Sequence, residues 1–410
     1  MNSPRFDRYV VREVLKQLAS TFFTKDLSEH PRMVAAHAEL ASHSHYHAFA
    51  GKYLSTQCSD VEPLEGESKK RGARWRNLLA NTEPSTSGDA PKTSFDAAAS
   101  GAEPTSLDLG PQSPSDNAFT ARMRRHMSWY RASVLQLRCG TGPTATSTKE
   151  YGNMLTEADA ERGLNFLTPE IHQIALARLN QGNGVVERYR LLHNMLSSQP
   201  MCFNLFGPLV NDRALAATLL QTIPELQVGR VLGVKLEHAP VSRDEYLGDN
   251  TAFDAFIDYE RVDGSRAFLG IETKLTDKFS DKHYDSPHYR RWMRGERSPF
   301  GPEADSQVAL VVHNQLWRDH LLAIAMRDHA RSPYKHGTLV LVRHPEDLAC
   351  APIVKAYQRL LVPGDATFID LPLDRLLERW QTAALTEPRI AWLRAFRERY
   401  LSLDQSEAAR

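Results

Sequence analysis

Phe253 to Lys274 reads FDAFIDYERVDGSRAFLGIETK, and this stretch decides the fold because it is patterned as a β-hairpin that carries charge where a hairpin needs none. Phe253, Ala255, Ile257 and Tyr259 alternate with Asp254, Phe256 and Asp258, the period of two that marks a strand. Asp263-Gly264 supplies turn chemistry, and Arg266 to Lys274 returns as a second strand. That strand ends in Ile271-Glu272-Thr273-Lys274, where Glu272 and Lys274 are two positions apart and project from one face.

Whether Asp254 joins them depends on register. A two-residue loop at Asp263-Gly264 sets Asp254 opposite Thr273, facing away from Glu272 and Lys274. A three-residue loop, Asp263-Gly264-Ser265 with a positive φ in it, pairs Asp254 with Lys274 and gathers the three charges. The expectation is therefore an odd loop or a bulge. Asp258 competes with Asp254 for the same role but lies nearer the turn, where a solvent-facing position is expected.

Two carboxylates about 4 Å apart repel by roughly 4 kcal/mol at an effective dielectric of 20, so this arrangement calls for a cation. Mg²⁺ suits it, because a few hard oxygen ligands with the remaining positions left to water and phosphate is its usual binding mode. Asp254, Glu272 and the Thr273 carbonyl are the expected ligands. Lys274 is expected to orient or help deprotonate a water and to stabilise charge on a phosphate, which is metal-assisted phosphodiester hydrolysis. The bland alternative is an exposed Glu272–Lys274 cross-strand pair worth about 0.2 to 1 kcal/mol. Phe268, Leu269, Ile271 and Leu275 speak against it, since they mark a buried strand where unpaired charge is costly.

The chain has 410 residues, enough for one main domain and an accessory piece, and its 41% hydrophobic content fits a globular protein. Fifty Lys and Arg balance fifty Asp and Glu, so any nucleic-acid contact must be local. No run approaches the roughly 18 to 20 apolar residues of a membrane span, and MNSPRFDRYV lacks a secretory apolar region. Cys58, Cys139, Cys202 and Cys350 are scattered, without metal or disulfide spacing. A cytoplasmic location, with no membrane partner, is the expectation.

Residues 1 to 80 read as a helical accessory region, with Tyr9, Val10, Val14, Leu15 and Leu18 at amphipathic spacing. His30, His37, His43, His45 and His47 lie here without the spacing of a recognised metal site. Residues 81 to 117 are rich in Ser, Thr, Pro and Gly and read as a disordered linker. The domain of interest then runs over residues 118 to 410. Arg122, Arg124, Arg125 and Arg131 interleave with Trp129 and Tyr130 on a first helix whose basic face is expected to be solvated. Thr168-Pro169-Glu170 opens another helix, and Val185 to Ser198 reads as a third.

Gln227 to Ala239 reads as a first strand, ahead of the hairpin. Lys274 to Ser306 is long for a simple connection, and Lys278, Lys282, Arg290, Arg291 and Arg294 stand there beside aromatics as a candidate nucleic-acid contact. Gln307 to Met326 is a helix from which Gln315 and Arg318 are expected to face the site, Arg318 toward nucleic acid. GTLVLVRH and ATFIDL are further strands. From Val185 the order helix, three strands, helix, strand gives an α/β fold with a small mixed sheet flanked by helices.

The D…ExK arrangement of Asp254, Glu272 and Lys274, with NFLTPEI, NMLSSQPMCFNLFGPL, FDAFIDY, LGIETK and NQLWRDHLLA in this order, resembles the PD-(D/E)XK nuclease superfamily and a bacterial family within it. The likeness spans about Phe119 to Leu403. It implies a restriction endonuclease-like αβββαβ core, a Mg²⁺ site at which Mn²⁺ can substitute, and DNA as substrate, with homodimerisation allowed. Phe253-Asp254 stands where the superfamily has Pro-Asp, and the acid is kept. The resemblance also implies an acid on the helix before the first strand, for which Glu187 stands, and matches Gln315 to a polar residue on the helix after the hairpin. The alternatives are a nuclease fold that binds without cutting and a scaffold working through its N-terminal region.

Overall fold

The computed structural model describes Thr21–Phe23, Val61–Pro63, Arg74–Asn77 and residues 107–408 apart from 183–185, 281 and 309. The chain divides into two units, Met1–Gly101 and Ala102–Arg410. In the first, Thr21–Phe23 (β1), Val61–Pro63 (β2) and Arg74–Asn77 (β3) form an antiparallel sheet in the order β1-β3-β2. Helix was expected here, so for these ten residues the reading is corrected. Thr21, Phe22, Phe23 and Trp75 are β-branched or aromatic types that suit a pleated surface. The N-terminal histidines lie outside the described residues.

In the second unit, residues 107–117 are tied down, which corrects the end of the expected linker. The Arg131 guanidinium is buried and donates to the Gly152 carbonyl at 2.7 Å and the Asp108 carbonyl at 2.9 Å. Gly152 N–H donates to the Pro111 carbonyl at 2.8 Å, and Arg124 pairs with Asp116 at 2.5 Å. Arg124 of the first helix, Ala118–Trp129 (α1), and Arg131 just beyond it are thus largely internal. Arg122 also pairs with Glu346 and Glu407.

A short antiparallel pair, Gly140–Thr141 (β4) and Glu150–Tyr151 (β5), follows. Thr168 then caps Pro169–Asn180 (α2), its side chain accepting from Ile171 N–H, with proline in the first turn as expected. The helix expected over 185–198 is instead two elements. Arg188–His193 (α3) ends at Asn194, which bridges to Met154, and Ser198–Val210 (α4) begins after Ser197 as cap. Asn204, buried in α4, accepts from Leu167 N–H and donates to the Asn165 carbonyl and the Tyr400 hydroxyl, the structural role its neighbours suggest. Arg213–Leu220 (α5) leads to the sheet.

Five strands build that sheet: Val228–His238 (β6), Phe253–Arg261 (β7), Arg266–Lys274 (β8), His336–Arg343 (β9) and Phe368–Pro372 (β10). They lie in the order β10-β9-β8-β7-β6, antiparallel from β6 to β8 and parallel from β8 to β10. Pro287–Met293 (α6) and Val311–Asp328 (α7) connect β8 to β9, Cys350–Gln358 (α8) connects β9 to β10, and Leu373–Gln381 (α9) and Glu387–Tyr400 (α10) close the chain. This is the α/β architecture expected, a mixed sheet flanked by helices.

Alternation along the strands feeds two cores. Ala255, Ile257, Tyr259, Leu269, Ile271, Val340 and Val342 face α4, α5, α9 and α10. Phe256, Phe268, Leu339 and Leu341 face α6, α7 and α8. With both faces covered, β8 is buried along nearly its whole length, so the charges it carries at its end are held inside the protein. Among the described residues no helix is long and apolar enough to cross a membrane.

Candidate active site

The hairpin closes through a three-residue loop, Val262-Asp263-Gly264, between Arg261 and Ser265, which are joined by an Arg261 N–H bond to the Ser265 carbonyl at 2.9 Å. Gly264 has φ +79° and supplies the left-handed residue such a loop needs. The loop is odd, as the site requires, but starts one residue earlier than expected. Asp254 therefore falls opposite Glu272 rather than Lys274, in line with the observed Ala255–Ile271 and Ile257–Leu269 pairs.

Asp254 Oδ2 accepts from Thr273 N–H at 2.8 Å and from Thr273 Oγ1 at 2.6 Å. The carboxylate takes the peptide N–H at the point where the β7–β8 register stops. The Lys274 carbonyl accepts from His344 N–H, toward β9. Strand alternation then turns the Thr273 carbonyl the other way, toward Asp254. Two carboxylates and this carbonyl are hard oxygen donors of the kind Mg²⁺ takes, and they fit the expected ligand set. Among the described residues no three His, Cys, Asp or Glu side chains converge as a metal cluster.

On the α7 side, Lys274 Nζ lies 3.1 Å from Glu272 Oε1. Gln315 joins both, donating from Nε2 to Glu272 Oε1 at 2.8 Å and accepting from Lys274 Nζ at 3.1 Å. Glu272 and Lys274 are buried, whereas Asp254 keeps a partly exposed edge. Burial, then the Asp254 charge, pushes the Glu272 carboxyl well above its usual range, with Lys274 acting against them. Burial also raises Asp254, against its bonds from Thr273. For Lys274 burial pulls downward, but Glu272, Asp277 and Asp254 outweigh it and its pKa is raised. The end of the hairpin thus crowds carboxyls whose ionised forms are disfavoured without further positive charge, the electrostatic setting of a cation site.

Two further acids adjoin this group, and sequence reasoning missed both. Glu237 lies on β6 between Leu236, paired with Ala255, and His238, paired with Phe253, so it falls opposite Asp254. Burial and then the Asp254 charge push its carboxyl up to about 7. Asp319, one turn beyond Gln315 on α7, is buried with no hydrogen-bond partner for Oδ2, and burial pushes it to about 7 against Arg318 and Lys274. A signal for Glu237 was present, a lone acid ending the apolar strand VLGVKLEH.

Other expected residues lie elsewhere or do other work. Glu187 is corrected: it is the N-cap of α3, exposed, with its two carboxylate oxygens accepting from Tyr189 N–H at 3.0 Å and Arg190 N–H at 2.6 Å. A helix-opening acid and a catalytic one look alike in sequence, and capping accounts for this one. Asp258 holds Arg266 through both oxygens, at 3.0 and 2.6 Å, as a hairpin ion pair.

Of the expected nucleic-acid contacts, Arg290 pairs with Asp285 and Asp305, Arg294 with Asp305, and Arg318 with Asp249. These arginines therefore first serve internal pairs. Lys278, Lys282 and Arg291 are exposed. The segment after β8 is tied to α7 where Asn314 bonds both the N–H and the carbonyl of Tyr284 and Gln315 accepts from Ser280 N–H. A groove of about 940 Å³ between α2 and the edge strand β6 is lined by Arg178, Lys235, Glu237, His238 and Arg243. It meets the acidic group only at Glu237.

A family model of the PD-(D/E)XK nuclease superfamily matches residues 114–402. The chain belongs to the PD-(D/E)XK nuclease superfamily. No curated protein and no solved structure matches it.

Proposed function

We propose that this protein is a divalent-cation-dependent nuclease that hydrolyses phosphodiester bonds of DNA, with Mg²⁺ as the cation and Mn²⁺ as a substitute. The observation that carries this reading is the end of the hairpin, where Asp254 bonds Thr273 and Gln315 binds the flanking Glu272 and Lys274 together. Asp254, Glu272 and the Thr273 carbonyl would hold the cation. When bound, it supplies charge neutralisation at phosphate and lowers the pKa of water.

The remaining work falls to the chain itself. Lys274, fixed by Glu272 and Gln315, presents an ammonium that donates to the attacking water or to a phosphate oxygen. Its burial makes that charge count for more than it would in solvent. Thr273 holds Asp254 in place through two hydrogen bonds. Lys278, Lys282 and Arg291 supply exposed positive charge beyond the strand for the nucleic-acid backbone.

A binding protein without cleavage would not need Lys274 buried against Glu272, and this favours the catalytic reading. Plasmid and linear DNA incubated with wild type and Glu272→Ala, with Mg²⁺ or with EDTA, test it. Cleavage is expected from wild type with Mg²⁺ alone. Equal cleavage by both proteins, or none by wild type across a broad substrate set, overturns the proposal.

A further inference from the structure

Glu237 has a backbone that ordinary strand residues avoid. Its φ is +52°, inside β6, although the Leu236–Ala255 and His238–Phe253 pairs on either side keep one register. No residue has been inserted, so the twist at Glu237 re-aims a side chain without shifting the strand. A non-glycine residue in this region is strained, and something must hold it. Arg178 does so from α2, donating to the Leu236 carbonyl at 3.0 Å and to the Glu237 carbonyl at 2.7 Å.

The side chain so aimed is buried and meets Gln199 at the start of α4, where Gln199 Nε2 donates to Glu237 Oε1 at 3.1 Å. That bond fixes the orientation of the amide, because a carboxylate takes the NH₂ end. Gln199 Oε1 is left buried with no donor. A carboxylate and an amide, each offering an acceptor oxygen, therefore lie side by side, and the carboxylate is near enough to Asp254 to feel its charge. Buried acceptors need donors, and no protein donor is in reach of Gln199 Oε1. Water bound to a cation is such a donor, polarised and fixed in place. Mg²⁺ keeps several waters, and groups that bind its outer shell govern its affinity.

We propose that Glu237 and Gln199 are positioning residues that accept hydrogen bonds from the waters of a divalent cation held by Asp254 and Glu272. The inference rests on the cation-dependent reading given above. It assigns to β6 and α4 the half of the site opposite Lys274 and Gln315. The cation is thereby flanked by acceptors on the α4 side and by the ammonium on the α7 side.

Calorimetric titration of the full chain with Mg²⁺ alone, and electron paramagnetic resonance titration with Mn²⁺ alone, test this in wild type, Glu237→Gln, Gln199→Leu and Glu272→Gln. Glu237→Gln, which removes the charge and turns one acceptor oxygen into an NH₂ donor, is expected to weaken cation affinity by about 10- to 100-fold, and Gln199→Leu by a smaller factor. Glu272→Gln is expected to lose measurable binding. Wild-type affinity in both Glu237→Gln and Gln199→Leu, with Glu272→Gln impaired, overturns the inference alone. No binding by wild type, or unchanged binding in Glu272→Gln, overturns the cation reading with it. Should Glu237→Gln fail to fold, Gln199→Leu decides: unchanged affinity there overturns the inference.

Discussion

Gln315 binds both members of the Glu272–Lys274 pair, donating to the carboxylate at 2.8 Å and accepting from the ammonium at 3.1 Å. A neutral amide does both at once, its NH₂ group donating while its oxygen accepts. Gln315→Leu, similar in size but without either function, is expected to lower kcat about 10- to 100-fold with KM for DNA little changed. Steady-state cleavage kinetics check this. A pure rise in KM would instead give Gln315 a role in substrate binding.

Asp254 and Asp258 occupy one strand and separate sharply in function. Asp254→Asn is expected to abolish cation-dependent cleavage. Asp258→Asn removes a partly exposed pair with Arg266 and is expected to cost stability by about 1 kcal/mol or less, with activity kept. Side-by-side urea melts and cleavage assays of the two variants suffice, and a reversed pattern would exchange their roles.

Gly270 lies under Phe253, and a Cβ added there would sit 2.4 Å from the ring. Phe253 precedes Asp254, so crowding at Gly270 acts on the site through the ring. Gly270→Ala is expected to destabilise by about 1 to 3 kcal/mol, typical of overpacking, and to reduce cleavage as Asp254 is displaced. Thermal melts together with activity at a temperature well below the transition separate the two effects.

His320 is fully buried between the Tyr357 hydroxyl and Thr367 Oγ1, and burial holds it down at about 3. In the unfolded chain it titrates near the ordinary value of about 6.5. Its neutral form thus contributes stability in full above that pH, and the contribution is lost as pH falls toward 3. Carboxyls with raised pKa, such as Glu237, act in the opposite sense, so a difference is the clean measurement. The stability gap between wild type and His320→Gln is expected to narrow steadily from pH 7 to pH 4. A gap constant with pH in chemical denaturation would refute it.

The sheet was legible because period-two alternation and buried apolar runs are local signals, and β6 to β10 stand where the sequence placed them. Glu272, Lys274 and Gln315 meet because strand parity and one helical face determine their directions, whereas Asp254 lies one register position from the expected partner and bonds Thr273. Glu237 stands out as a lone acid in an apolar strand, but its direction was not legible, because it depends on a positive φ held by Arg178, which is far away in the chain. Glu187 misled because a capping carboxylate and a catalytic one share the same local pattern. Strands β1 to β3 contain too few residues to show a period.

The Val262-Asp263-Gly264 loop carries a consequence for reading relatives of this chain. It lies a full strand length from Lys274, about 27 Å at roughly 3.3 Å per residue over β8. A single-residue insertion or deletion in that distant turn would reverse the parity of β7 against β8 and turn Asp254 outward. Every lettered motif residue would remain in the sequence. A relative can therefore keep the whole signature and still be inert, and the length of its hairpin turn is the first thing to count.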